Sequence, residues 1–185
     1  MRKETWINKN KDLMINLFEP KTEKEVEALF LKLSSIEDAW SNREFDMLEL
    51  IDLWNETTNS NPVTLNQLLD SFAKCSASTS TENLSIEEVN ELITKVCSVT
   101  RNGGNEVGCF LHSVLSRLNN DNVKQFLEKK IGIKDDESFM DVLEKVKSYL
   151  NNYQDAEERQ LKAIEISEIL AGKYNISKMS SLLSN

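Results

Sequence analysis

Four Ser/Thr-x-x-Glu/Gln signatures stand in the first half of this chain: Thr22 with Glu25, Ser41 with Glu44, Thr64 with Gln67, and Ser85 with Glu88. In such a capping box the hydroxyl accepts an otherwise orphaned amide N–H, while the Glu or Gln reaches back to the cap's own amide. Each box precedes apolar residues at helical spacing, so local and longer-range signals agree. Two prolines and five glycines leave few other breaks, and no alternating strand pattern of useful length occurs. The reading is an all-α fold, a compact bundle of about eight to nine helices whose short loops imply largely antiparallel neighbours.

The apolar stripes follow the caps. Trp6, Met14, Leu17 and Phe18 stop before Pro20, and Val26, Leu29, Phe30, Leu33, Ile36 and Trp40 form a second stripe. In a third helix Met47, Leu50, Ile51 and Trp54 share one face while Phe45 and Leu53 fall off it. Leu65, Leu68, Leu69 and Phe72 precede a polar run, residues 76–83, that reads as a linker. Ile86, Val89, Leu92, Ile93 and Val96 then lead into a glycine-rich interruption, after which Val107, Phe110, Leu111, Val114 and Leu115 resume the period. Val123, Phe126 and Leu127 close at Gly132; Phe139, Leu143, Val146 and Leu150 follow a cap at Asp135 or Asp136. A last long helix runs from about Asp155 to Ala171 and ends at Gly172, with Leu161 and Ile164 on one face and Ala163, Ile166, Ile169 and Leu170 on another. The expected organisation is one helical domain over 1–178, with halves 1–75 and 84–178 about the linker and a frayed tail over 179–185.

Charge and cysteine count bound the function. A net charge of −9 opposes binding to phosphate backbones, which depends on Lys and Arg releasing counterions. The basic group Lys124, Lys129, Lys130 and Lys134 is diluted by Glu128 and Asp135 and reads as a solvated helix end. A nucleic-acid binder, or an acidic mimic of nucleic acid, stands as an alternative. No apolar run approaches the ~20 residues of a membrane span, and the N-terminus lacks the continuous apolar core of a secretory signal. Three cysteines without scaffold spacing point to a reducing compartment, cytoplasmic or nuclear, in which the sequons at Asn55, Asn83 and Asn175 stay unused. The Asn-, Lys- and Ile-rich composition leaves viruses, intracellular bacteria and protists open as sources.

The stretch 97–112, CSVTRNGGNEVGCFLH, gathers three glycines, two cysteines and the lone histidine. Cys75, Cys97, Cys109 and His112 make a Cys3His set by count, but without a Cys-x-x-Cys knuckle and with the cysteines continuing apolar stripes. Cys109 and His112, at i and i+3, offer a thiol and a base for a metal- or thiol-dependent enzyme. The simpler reading is a capped bend carrying buried thiols: Asn102, Gly103 and Gly104 supply positive φ to close one helix, and Asn105 caps the next. No P-loop or dinucleotide spacing occurs, and no cofactor is expected.

From Gly103 the stretch reads Gly-Gly-Asn-Glu-Val-Gly and opens a strongly apolar helix, which resembles the glycine-rich turn opening the central helix of the apoptosis regulators of the B-cell-lymphoma family. That motif's tryptophan and arginine are absent, and the spacing is off by one. Leu33 and Asp38, with a Glu between, are similar to the family's death-motif helix. The resemblance implies a helical bundle that regulates apoptosis.

Between residues 37 and 56, Glu37, Asp38, Glu44, Asp46, Glu49, Asp52 and Glu56 face a lone Arg43 and are interleaved with Trp40, Phe45 and Trp54. Aromatics set among charges are common interface anchors, although both tryptophans also fit the core stripe. The expected function is a noncatalytic intracellular module for protein–protein contact, with a protein partner or a second copy as ligand. A virus- or pathogen-encoded modulator of host proteins is one form of that reading. The expected contact residues are Trp40, Phe45, Glu49, Asp52, Leu53, Ile166, Ile169 and Leu170.

Overall fold

Helix starts are where side chains satisfy the first amides. In the computed structural model, which describes residues 9–41, 43, 45–82, 84–134 and 136–184, full capping boxes form at Thr64/Gln67 and Ser85/Glu88. Thr22 accepts the Glu25 amide, while the Glu25 carboxylate turns to the Lys21 amide instead of closing the box. Glu44, Asn83, Asp135 and Trp6 lie outside the described residues.

The expected box at Ser41 gives way to Asp46, whose carboxylate accepts the Leu48 amide, while the Ser41 hydroxyl donates to Asp38 O. Nor does Asp136 cap the helix after it: Ser138 forms a full box with Asp141. That signature, Ser-x-x-Asp, was present in the sequence and differs from the others only in its shorter acid.

These caps open five of ten α-helices among the described residues, which are 81% helical and contain no strand. The ten are α1 Lys11–Phe18, α2 Glu23–Trp40, α3 Met47–Ser60, α4 Leu65–Thr81, α5 Ile86–Thr100, α6 Gly104–Leu118, α7 Asp121–Ile131, α8 Phe139–Asn151, α9 Ala156–Ala171 and α10 Ile176–Leu183, with a 3-10 turn at Lys173–Asn175. The count slightly exceeds the expected eight to nine, because the terminal segment is helical. Residues 179–183, expected to fray, pack through Met179, Leu182 and Leu183, which are all buried.

The expected linker is also helix, to Thr81. Ser76 and Thr79 are 1% and 0% exposed, and their hydroxyls donate to Phe72 O at 2.7 Å and to Cys75 O at 3.1 Å. A hydroxyl that bonds one turn back behaves as a small buried residue, so a polar run became part of the core's central helix.

Adjacent loops join antiparallel helices, yet the most extensive packing is between helices running the same way. Lys32 pairs with Asp70, and Arg43 donates to Ser80 O and Leu84 O, so α2 and α4 advance together. Gln67 reaches Asn102 O and Glu82 accepts from Asn119, so α4 and α6 do too. α3 and α5 return between them as a second layer and meet where Asn90 Nδ2 donates to Thr57 Oγ1 at 2.8 Å. α9 packs on α6, and α10 on α5, α8 and α9. An edge-on Phe18–Trp54 contact and a tilted Trp54–Phe72 contact, with centroids 6.4 and 5.3 Å apart, tie α1, α3 and α4 together.

Candidate interaction surface

The glycine-rich stretch is a helix seam. Its glycines do not supply positive φ: Arg101, at φ 55°, closes α5, and Gly103 is the N-cap of α6 at φ −68°. Asn105 lies within the first turn, where its amide donates to Asp70 at 3.4 Å rather than capping.

Gly104 and Gly108 serve close approach instead. A Cβ at Gly104 would lie 2.2 Å from Gln67 O, and one at Gly108 would lie 2.5 Å from Ser71 O and 2.6 Å from Lys74 Cβ. Backbones meet there because neither glycine has a side chain. Ser71 Oγ, buried in the seam, donates to Gly104 O at 2.9 Å. The four-residue spacing of Gly104 and Gly108 was legible in the sequence as one face of a helix, and it is the feature that sequence reasoning missed.

The thiols divide around this seam. Cys75 and Cys97 are buried, and desolvation pushes their pKa values up to about 12 and about 11. A backbone hydrogen bond opposes the rise at Cys75, and the Ser71 hydroxyl opposes it at Cys97. Cys109 is exposed, which corrects the expectation that all three are buried. His112 is also exposed, with Nδ1 against the Ser78 hydroxyl. The four residues do not converge: among the described residues no group of three or more His, Cys, Asp or Glu side chains could hold a metal ion.

Of the expected contact residues, Trp40, Ile166 and Leu170 belong to the core, at 2%, 1% and 0% exposure. The reason is local packing. Trp40 lies beneath the Arg43 guanidinium and beside Phe45, whereas Ile166 and Leu170 are on the inward face of α9. Phe45, Leu53 and Ile169 are half-buried, and Glu49 and Asp52 are exposed. The structure does not bring the α3 and α9 groups onto one surface element.

Ile169 belongs to a different assembly of residues. With Val123 and Phe126 it lines an open groove of about 700 Å³ bounded by α6, α7 and α9, whose rim carries His112, Ser116, Arg117, Asn120 and Asn122. Arg117 is held in place because its Nε donates to Ile169 O at 3.3 Å. An apolar floor under a polar rim is the anatomy of a protein contact site, and no carboxylate lines it.

A second groove, between α3 and α5, carries Asn90, Thr94 and Ser98 at one-turn intervals. Among the described residues Asn90 Oδ1, Thr94 Oγ1 and Ser98 Oγ are buried without a hydrogen-bond partner.

Comparison with known proteins settles the lineage. The family described as phage-related minor tail protein matches residues 31–168, from within α2 to within α9. The chain belongs to that family. No solved structure matches it. Membership of a phage-related minor tail protein family agrees with the noncatalytic reading. Among the described residues, no helix is long and apolar enough to cross a membrane.

Proposed function

We propose that the chain is a structural tail component that acts by protein–protein contact, with the α6/α7/α9 groove as its contact surface. The groove carries the reading: it combines half-buried Phe126 and Ile169 with hydrogen-bonding side chains around an open rim. Such a surface recognises shape and apolar area. Family membership supports the same reading, since a tail protein acts by packing against others.

Filling the groove tests this without emptying the core. Ser116 is exposed on the rim, so Ser116→Trp keeps every buried contact and blocks entry. The variant should retain wild-type helical circular dichroism and fail to incorporate into tail particles when supplied in place of the wild-type chain. A folded Ser116→Trp protein that incorporates as well as wild type would falsify the assignment.

A further inference from the structure

The lining of this groove holds no carboxylate, on a chain with 31 acidic and 22 basic residues. Its charged rim consists of Arg117, with His112 beside it. The helix α3 presents the opposite chemistry. It buries Met47, Leu50, Ile51 and Trp54 against the bundle and leaves Glu49, Asp52 and Glu56 exposed. Leu48, 42% exposed, and half-buried Leu53 stand among these carboxylates. Four-residue steps place Leu48, Asp52 and Glu56 along one ridge of the helix.

Among the described residues, Arg117, Glu49, Asp52 and Glu56 are all without an ion-pair partner. The one cationic group on the groove is thus uncompensated, and so is the acidic ridge. We propose that the groove takes the acidic, leucine-bearing face of α3 from a second copy of the chain, so that copies join head to tail. The proposal rests on reading the groove as the contact surface. Leu53 enters over Phe126 and Ile169, while Glu49 or Asp52 meets the Arg117 guanidinium, whose two terminal nitrogens match a carboxylate. The two faces are different surfaces, so the contact is heterologous: copies add in one direction and form a ring or an open filament, according to the rotation between them.

Sedimentation velocity of the full chain over rising concentration tests this. The wild-type chain should pass from monomer to a series of larger species, and the association should weaken with added salt. Arg117→Glu and, separately, the exposed-site double variant Glu49→Arg/Asp52→Arg should each weaken association at least tenfold. All three changes in one chain should restore it, because the charges are complementary again. If Arg117→Glu disturbs α9, the Glu49→Arg/Asp52→Arg chain carries the test alone, since both sites are exposed. A wild-type chain that stays monomeric overturns the second-copy proposal, as does a Glu49→Arg/Asp52→Arg chain that associates like wild type. In either case exclusion of Ser116→Trp from tails would leave the groove itself standing as a contact surface for another protein. Incorporation of Ser116→Trp would instead remove the groove reading.

Discussion

Replacing Gly108 by Ala perturbs the seam at its narrowest point. In an unobstructed helix interior this change stabilises by about 1 kcal/mol, because glycine gives up more backbone entropy and alanine is the best helix former. Here the added Cβ would lie 2.5 Å from the Ser71 carbonyl oxygen and 2.9 Å from the Ser71 Cα. Backbone cannot rotate away as a side chain can, so α4 and α6 must separate by about 1 Å, which forfeits roughly a quarter to a half of each dispersion contact along the seam. Overpacking against rigid backbone falls at the upper end of the ~1–3 kcal/mol range, so after the propensity gain the net loss should be about 2 kcal/mol. For a chain of this size that lowers the melting temperature by about 4–8 °C.

Gly103 is the internal control. A Cβ there meets nothing within 4 Å, and the residue is the N-cap of α6. Gly103→Ser should stabilise by a few tenths of a kcal/mol through a new cap hydrogen bond. Thermal unfolding followed by circular dichroism reads both. A Gly108→Ala protein melting at or above wild type would refute the close-packed seam.

Other consequences follow from burial and charge. Iodoacetamide at pH 8 should label Cys109 alone in the folded chain and all three cysteines in urea, because Cys75 and Cys97 are buried with raised pKa values; mass spectrometry counts the adducts. Thr94→Val should stabilise by about 1 kcal/mol in urea titrations, since it replaces an unpartnered buried hydroxyl with a methyl group of similar size. Glu137 has its pKa held down first by the Lys145 ammonium, 2.6 Å away, and then by the Lys134 amide. A depressed carboxylate pKa adds stability above the unfolded value of 4.5 and loses it as the pH falls through the folded value. Wild type should therefore lose more stability than Glu137→Gln as the pH drops below 4.5.

The helices were legible because caps and 3.6-residue periodicity are local. The boxes at Thr64/Gln67 and Ser85/Glu88 form where the sequence placed them, and α9 begins just after Asp155, where its start was expected. The parallel course of α2, α4 and α6 was not legible, since short loops report only on successive helices and these three are joined through α3 and α5. The Ser/Thr run of α4 looked like a linker because composition does not show that Ser76 and Thr79 satisfy themselves within the helix.

Which of the expected contact residues are exposed was legible only in part. Exposed Glu49 and Asp52 lie outside the core, but the two faces of α9 could not be ranked from sequence. Its weak amphipathic pattern left open whether Leu161 and Ile164 or Ile166 and Leu170 faced inward. Packing on α6, α8 and α10 decides for Ile166 and Leu170 and leaves Leu161 67% exposed. The groove needed tertiary structure, because Val123, Phe126 and Ile169 come from helices separated by α8.

Backbone hydrogen exchange, compared between the isolated chain and the chain within assembled tails, tests the contact reading most directly. Amides over residues 113–126 and 166–170, which border the groove, should exchange more slowly in the assembled state, while the α4/α6 seam, already buried, stays unchanged. Exchange around the groove that is identical in both states would contradict the account.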